Sequence, residues 1–319
     1  MCKTPKPEIQ RGRKRRTAQG NPQQIIDAHV HWYRKDNPYK DRKDRDYLPD
    51  HYLKDAAGYD VIGIVHIEAH WDPKDRVGET RWVRSLADDG SDHGLLKGIV
   101  GEADLASDNV ERELEGHVAD RGARAIRHIV NHLPGRHANW WAAQGYKAEP
   151  AWVVNEDYLE NSEFLANFPK LARYGLGFDY MGFPNHLKPM AKLARDNPCV
   201  TVYLEHTGMP YDHTPEGVAV WREGMRALAA APNAVCKISG LGHTVPKWTE
   251  ESIRPYVLEA IDIFGIDRCM FGSNFPADGA FSTMRALWDA FFSIAETFTA
   301  EERDKLFAAN AIRHYRLAV

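Results

Sequence analysis

A chain of 319 residues with 43% hydrophobic and 27% charged side chains has the composition of a soluble globular protein, long enough for one large domain or two small ones. No apolar run approaches the roughly 20 residues that span a bilayer, so no membrane is expected as a partner and a cytoplasmic location is the default. The four cysteines, Cys2, Cys199, Cys236 and Cys269, form no CxxC pair and are expected as free thiols.

Residues 1–24 hold seven Lys or Arg, including the RGRKRR cluster, against Glu8 alone, and are expected to be a disordered basic tail. Residues 25–319 then carry a net charge of −10, which argues against a nucleic-acid enzyme. Eight short β-rich runs follow in order: 25–29, 61–69, 96–105, 123–130, 174–181, 199–206, 234–239 and 268–273. Helices are expected between them at 50–58, 79–88, 108–121, 157–172, 186–196, 216–231, 250–264 and 281–297. A last one, at 300–316, opens on a capping box of Thr299 and Glu302. This alternation predicts an α/β chain folded as a single (β/α)8 TIM barrel over 25–319. A doubly wound sheet is the weaker alternative, because no glycine-rich phosphate loop follows the first strand. Two long connections, 32–49 and 131–156 with Trp140, Trp141 and Trp152, leave the C-terminal ends of strands one and four. That is the catalytic face of barrel enzymes, and loops of this length suggest a lid.

Strand alternation puts Asp27, His29 and His31 of DAHVH on one face, where three polar groups are costly unless they bind one another, a metal or a ligand. The same parity groups His66, Glu68 and His70 in VHIEAH; Glu68 is the site candidate and His70 reads as a polar strand exit. Arg124 and Arg127 fall on opposite faces of strand four. Arg127, nearer the strand end, is the better carboxylate ligand, and an ion pair explains Arg124 as well. Strand five offers Asp179. On strand six, Val202, Leu204 and His206 share parity, which turns His206 inward and Glu205 outward. Strand seven contributes Lys237 and Ser239. On strand eight, Met270, Gly272 and Asn274 share a face, and Asp278 follows Pro276 in a loop that can fold back over the mouth or serve as a plain turn.

The motifs DAHVH, VHIEAHWDP with GETRW, RAIRH, LEHTGMP, CKISGL, MFGSNFPADG and LFAANAIRHYRL together resemble the amidohydrolase superfamily, in its branch of sugar lactonases and pyrone-dicarboxylate lactonase. The resemblance covers about residues 25–317. It implies a (β/α)8 barrel and a hydrolase, lactonase-like, in which water opens the lactone ring of a sugar acid or a carboxylated cyclic ester. His29, His31 and His206 would polarise the carbonyl, Asp278 or, second, Glu68 would take the proton from water, and Asn274 would position the reactants. Arg127, Arg124, Asp179 and Trp71 are the expected substrate-binding residues. The resemblance departs at Asp179, where many members have histidine, and at Asn274, where they have aspartate. A complete binuclear metal site is therefore not expected. The first choice is a metal-free site; the alternative is a single divalent ion such as zinc at His29 and His31, completed by His206 and either Asp179 or Glu68. Two rival readings are a metal-dependent decarboxylase or hydratase on the same barrel and an inactive barrel that serves as a binding protein. A small-molecule substrate is the expected partner, and a homo-oligomer is compatible with the chain.

Overall fold

A computed structural model describes residues 23–36, 45–135, 152–245 and 247–319. Residues 1–22 of the expected basic tail, with Trp140, Trp141 and much of both long connections, lie outside the described residues. Eight strands pair in parallel in chain order: β1 (Gln24–Val30), β2 (Asp60–Ile67), β3 (Leu96–Glu102), β4 (Ala123–Arg127), β5 (Gly177–Tyr180), β6 (Val202–Leu204), β7 (Ala234–Ile238) and β8 (Cys269–Phe271). Just beyond β8 the sheet meets its first strand: Asn274 N donates to His29 O at 2.8 Å, and His31 N donates to Phe275 O at 2.9 Å. The result is the (β/α)8 barrel expected from the sequence.

Helices α1 (Pro49–Asp55), α2 (Val77–Asp88), α3 (Val110–Val118), α4 (Ser162–Asn167), α5 (Leu187–Asp196), α6 (Pro215–Ala229), α7 (Glu250–Phe264) and α8 (Met284–Ala295) surround it. Their starts follow local chemistry. Thr214 caps α6 ahead of Pro215, and Thr249 forms a capping box with Ser252 at α7. The helix expected at 157–172 is shorter: Asn161 caps α4, and Pro169 separates it from a single turn at Lys170–Arg173. The final segment begins with the expected Thr299–Glu302 capping box on α9 (Ala300–Asp304), passes through a π-helical turn at Lys305–Ala309 and ends in α10 (Asn310–His314).

The strands bury two faces. Ile64, Ile99, Ile126, Phe178, Val202, Leu204, Cys236, Ile238 and Phe271 pack outward among the helices. Ile26, Ala28, Val65, Ile67, Val100, Ala125, Tyr203, Val235 and Met270 pack inward, together with Ala311, Tyr315 and Leu317 of the C-terminal segment. The C-terminus therefore contributes side chains to the barrel interior.

Three parity expectations are corrected by this layering. Asp27 points outward, where its carboxylate accepts from Tyr52 Oη of α1 at 2.9 Å and from Ser273 N at 2.7 Å. A bulge then intervenes, since Asp27 pairs with Ile64 but Val30 with His66, and this extra residue returns His29 to the interior. His66 also faces the helices, bonded to Glu79 of α2 at 3.1 Å. On β6, Val202 and Leu204 are the outward residues, so Glu205 turns inward.

Candidate active site

The C-terminal ends of the strands bring a cluster of polar side chains into contact. His31 Nδ1 lies 2.9 Å from the carbonyl oxygen of Ile67 and 3.1 Å from that of Glu68. Carbonyls only accept, so Nδ1 carries the proton and Nε2 offers its lone pair. His29 Nε2, 3.1 Å away, must then donate to it. This leaves His29 Nδ1 unprotonated and without a hydrogen-bond partner, 3.7 Å from Glu205 Oε1. His206 is held by Ser239 Oγ at its Nδ1, 3.0 Å away, and turns Nε2 toward Glu205 Oε2 at 3.7 Å.

Local backbone makes this convergence feasible. Cβ atoms at Gly240 and Gly272 would fall 2.2 Å from His206 Nδ1 and 2.8 Å from His29 Cβ, so neither position accepts a side chain without displacing an imidazole. His206 and Asn274 themselves adopt left-handed conformations, with φ of 53° and 55°. For non-glycine residues these are conformations that surrounding structure must enforce.

Beneath the histidines lies a charged layer. Arg127 donates from Nε to Glu68 Oε1 at 2.6 Å and from Nη1 to Glu205 Oε2 at 3.2 Å, and Nη2 also bonds the Glu68 carbonyl. Lys237 pairs with Asp179 and reaches Glu205 Oε1 at 3.4 Å. Burial alone would raise the carboxyls of Glu68 and Glu205. Arg127 and the His70 backbone and ring together outweigh it and bring Glu68 to about 2, and Arg127 with Lys237 and the other neighbours holds Glu205 well below its ordinary range. Asp179, whose two oxygens accept from Lys237 and Tyr315, goes the other way: burial raises its carboxyl, and Lys237 opposes the rise. All three histidines are driven down by burial first, with a neighbouring cation adding to it at His29 (Lys237) and His31 (Arg127, to about 3) and Glu205 opposing it at His206, so they are neutral imidazoles near pH 7.

Asn274 links this cluster to the loop after β8. Its Nδ2 donates to Asp278 Oδ1 at 2.9 Å, while its Oδ1 lies 3.2 Å from His31 Nε2, a contact between two acceptors in this tautomer that places the two side chains side by side without a hydrogen bond. Asp278 is fully buried, its Oδ2 has no hydrogen-bond partner, and burial raises its carboxyl to about 7. His243 Nε2 stands 3.6 Å from Asp278 Oδ1, and the His243 ring contacts Trp152 and Phe281 at centroid distances of 6.0 and 5.3 Å.

His29, His31, His206, Glu68, Arg127, Asn274 and Asp278 thus meet in one place. Three other expected site residues do not reach it. Arg124 sits near the start of β4, where Nη1 donates to the carbonyls of Arg121 and Ala123, on the far side of the strand from Arg127. Trp71 stacks on Trp82 of α2 at 5.6 Å under the Arg34 guanidinium, among the helices. Asp179 is buried below the histidines and is committed to Lys237 and Tyr315. Arg127 is nearly fully buried and already held by two carboxylates, so it is not a free anchor for a substrate carboxylate. Glu205 was missed by strand parity. A carboxylate inside CVTVYLEH, with a lysine in the equally apolar AVCKIS, was the available signal, because two such charges are affordable only as partners. Nothing in the sequence marks His243.

The donors His29, Glu205 and His206 lie within 4.8 Å of one another. Two neutral imidazoles and a carboxylate, one imidazole having a buried lone pair without a partner, suit a single zinc-like ion with an open fourth position. The carboxylate in that set is Glu205, in place of Asp179 or Glu68.

A barrel with this histidine cluster at the C-terminal ends of its strands is a hydrolase scaffold of the amidohydrolase type. The family model of that description, Amidohydro_2, matches residues 26–317, and the chain belongs to the amidohydrolase family. The uncharacterized protein y4mH of Sinorhizobium fredii is 39% identical over 309 residues, covering 92% of this chain and 98% of its own. An L-fucono-1,5-lactonase of Burkholderia multivorans is 28% identical over 320 residues, covering 92% and 96%. A crystal structure of an amidohydrolase from Burkholderia multivorans with bound zinc superimposes with a TM-score of 0.73 at 23% identity, covering 92% of this chain and 99% of that one. Among the described residues no helix is long and apolar enough to cross a membrane.

Proposed function

We propose that the protein opens the ring of an uncharged, hydroxylated lactone of the sugar-acid type by attack of water on the carbonyl. The observation that carries this reading is Asp278: a buried carboxyl lifted to about 7, held by Asn274 beside the histidine cluster, with an Oδ2 that no side chain partners. A base with its pKa near the working pH is suited to take a proton from water. Glu68 is a poor rival, since Arg127 and His70 bring its carboxyl to about 2 and both its oxygens accept hydrogen bonds.

In this mechanism Asp278 accepts the proton as water adds to the carbonyl, and returns it to the ring oxygen as the acyl C–O bond breaks, giving the open hydroxy acid. His206, whose Nδ1 is held by Ser239 Oγ, is the imidazole placed to offer its Nε2–H to the developing oxyanion, since the one proton of His29 is given to His31, and Asn274 keeps the Asp278 carboxyl in place. When a divalent ion is bound at His29, Glu205 and His206, it supplies Lewis-acid polarisation and acidifies bound water. The similarity to an L-fucono-1,5-lactonase supports the lactone class. The internal pairing of Arg127 supports an uncharged ring over a carboxylated one, because the site's inward guanidinium is already neutralised.

The test is acid release, followed by pH-stat, from a panel of sugar 1,4- and 1,5-lactones beside carboxylated lactones, with zinc-supplemented and chelated protein. Hydrolysis of the uncharged lactones is expected. Preference for the carboxylated rings, or release from none of them under either condition, would sink the reading.

A further inference from the structure

We infer that Tyr315, at the C-terminus of the chain, is a positioning residue for Glu205, acting up the barrel axis through Asp179 and Lys237. This inference rests on the hydrolase reading above. Tyr315 follows α10 and is fully buried against the inward residues of the barrel. Its hydroxyl donates to Asp179 Oδ2 at 2.5 Å, Asp179 Oδ1 is paired with Lys237, and Lys237 Nζ reaches Glu205 Oε1 at 3.4 Å. Glu205 in turn faces His29 and His206, each at 3.7 Å. Every side chain from Tyr315 to Glu205 is at most barely exposed.

Stability does not explain such a column. The neighbouring interior positions are Val65, Val100, Ala125, Val235 and Met270, and buried ion pairs seldom improve on well-packed apolar residues of the same volume. Lys237 has two carboxylates to choose from, Asp179 and Glu205, and a free ammonium turns readily between them. With the Tyr315 hydroxyl holding Oδ2, the Asp179 carboxyl is fixed in orientation, and Lys237 is set at the one place from which it also meets Glu205. The far end of the chain thereby fixes the rotamer of a side chain at the catalytic cluster.

The stack that holds Tyr315 supplies its own control. Tyr203 lies flat against it, with centroids 4.0 Å apart and planes within 3°, but the Tyr203 hydroxyl donates to the His314 carbonyl at 2.6 Å and touches none of the column. Tyr315→Phe and Tyr203→Phe each delete one buried hydroxyl and keep the stack. Because small misplacements of a reacting group cost one to two orders of magnitude, Tyr315→Phe is expected to lower kcat about tenfold at unchanged KM. Tyr203→Phe should leave both constants alone.

The Tyr315→Phe/Asp179→Asn double variant should be no slower than Asp179→Asn, since the tyrosine acts only through Asp179. Wild-type kcat in Tyr315→Phe, an equal loss in Tyr203→Phe, or multiplicative losses in the double variant would each overturn the inference. If the wild-type protein opens no lactone, the hydrolase reading fails separately. The column is then read from zinc affinity in chelator competition, where Tyr315→Phe should weaken binding about tenfold and Tyr203→Phe not at all. Equal affinities would overturn it.

Discussion

The two sides of the barrel mouth are built on different principles. On the side of β4 to β7, Arg127 and Lys237 meet Glu68, Glu205 and Asp179, and each of these charges has at least one opposite partner. On the side of β1 and β8, His29 bonds His31 and Asn274 bonds Asp278, the two pairs lying side by side, and here two buried atoms, His29 Nδ1 and Asp278 Oδ2, are left without partners. The first side is a closed electrostatic frame. The second carries no such charge pairing; since Tyr180 Oη of β5 and Thr207 Oγ1 just past β6 are buried without partners as well, the contrast lies in how the charges are paired and not in unpaired atoms alone.

If the frame is as closed as its pairing indicates, opening it should produce the largest effect in the molecule. Arg127→Ala strands the carboxylates of Glu68 and Glu205 in the interior, and breaking a buried pair in this way costs about 3–5 kcal/mol. Thermal or urea unfolding should show a loss of that size, accompanied by loss of activity at any substrate concentration. A variant as stable as the parent would mean that the two sides do not differ as described.

On the open side the expected effect falls on rate. Asp278→Asn should reduce kcat by about 10²–10⁴-fold with little change in KM, because only the proton acceptor is lost. The pH dependence carries the same sign. Since Asp278 must be ionised to accept a proton, kcat/KM should rise through about pH 7 and fall about tenfold per unit below it. Stability runs in the opposite direction. A carboxyl raised from 3.8 to about 7 keeps its proton in the folded state where the unfolded chain has already lost it, so the native state loses stability as pH climbs between those values. At pH 8 the asparagine variant should therefore melt no lower than the parent, and a clearly lower melting point would assign Asp278 to the frame.

Much of this arrangement was legible in the sequence. Hydrophobic runs separated by helical periods were enough to place all eight strands, because strand and helix patterns are set locally. His29, His31, His206, Arg127 and Asn274 could be placed at the mouth because each sits at or just past a strand's C-terminal end. What could not be read was the side each residue faces where the alternation breaks. The bulge after Asp27 and the left-handed backbone at His206 each depend on contacts with distant strands: Asn274 N bonds His29 O, and Gly240 lies against the His206 ring. Counted back from an inward histidine, a one-residue irregularity reverses the face of every earlier side chain, which is how Asp27 and Glu205 came to be exchanged between inside and outside.

The smallest effect belongs to the other arginine of β4. Arg124 lies three residues before Arg127, yet it bonds only the carbonyls of Arg121 and Ala123 near the start of the strand. Both bonds are local, to carbonyls three residues and one residue back along the chain, and no buried carboxylate depends on the side chain. Arg124→Ala should shift stability by no more than about 0.5 kcal/mol, as for surface sites generally, and leave kcat and KM at parental values. The contrast with Arg127→Ala isolates position on the strand from residue type. An Arg124→Ala variant whose KM rose for the same lactone would place substrate at the wrong end of the barrel for the histidine cluster to act on it.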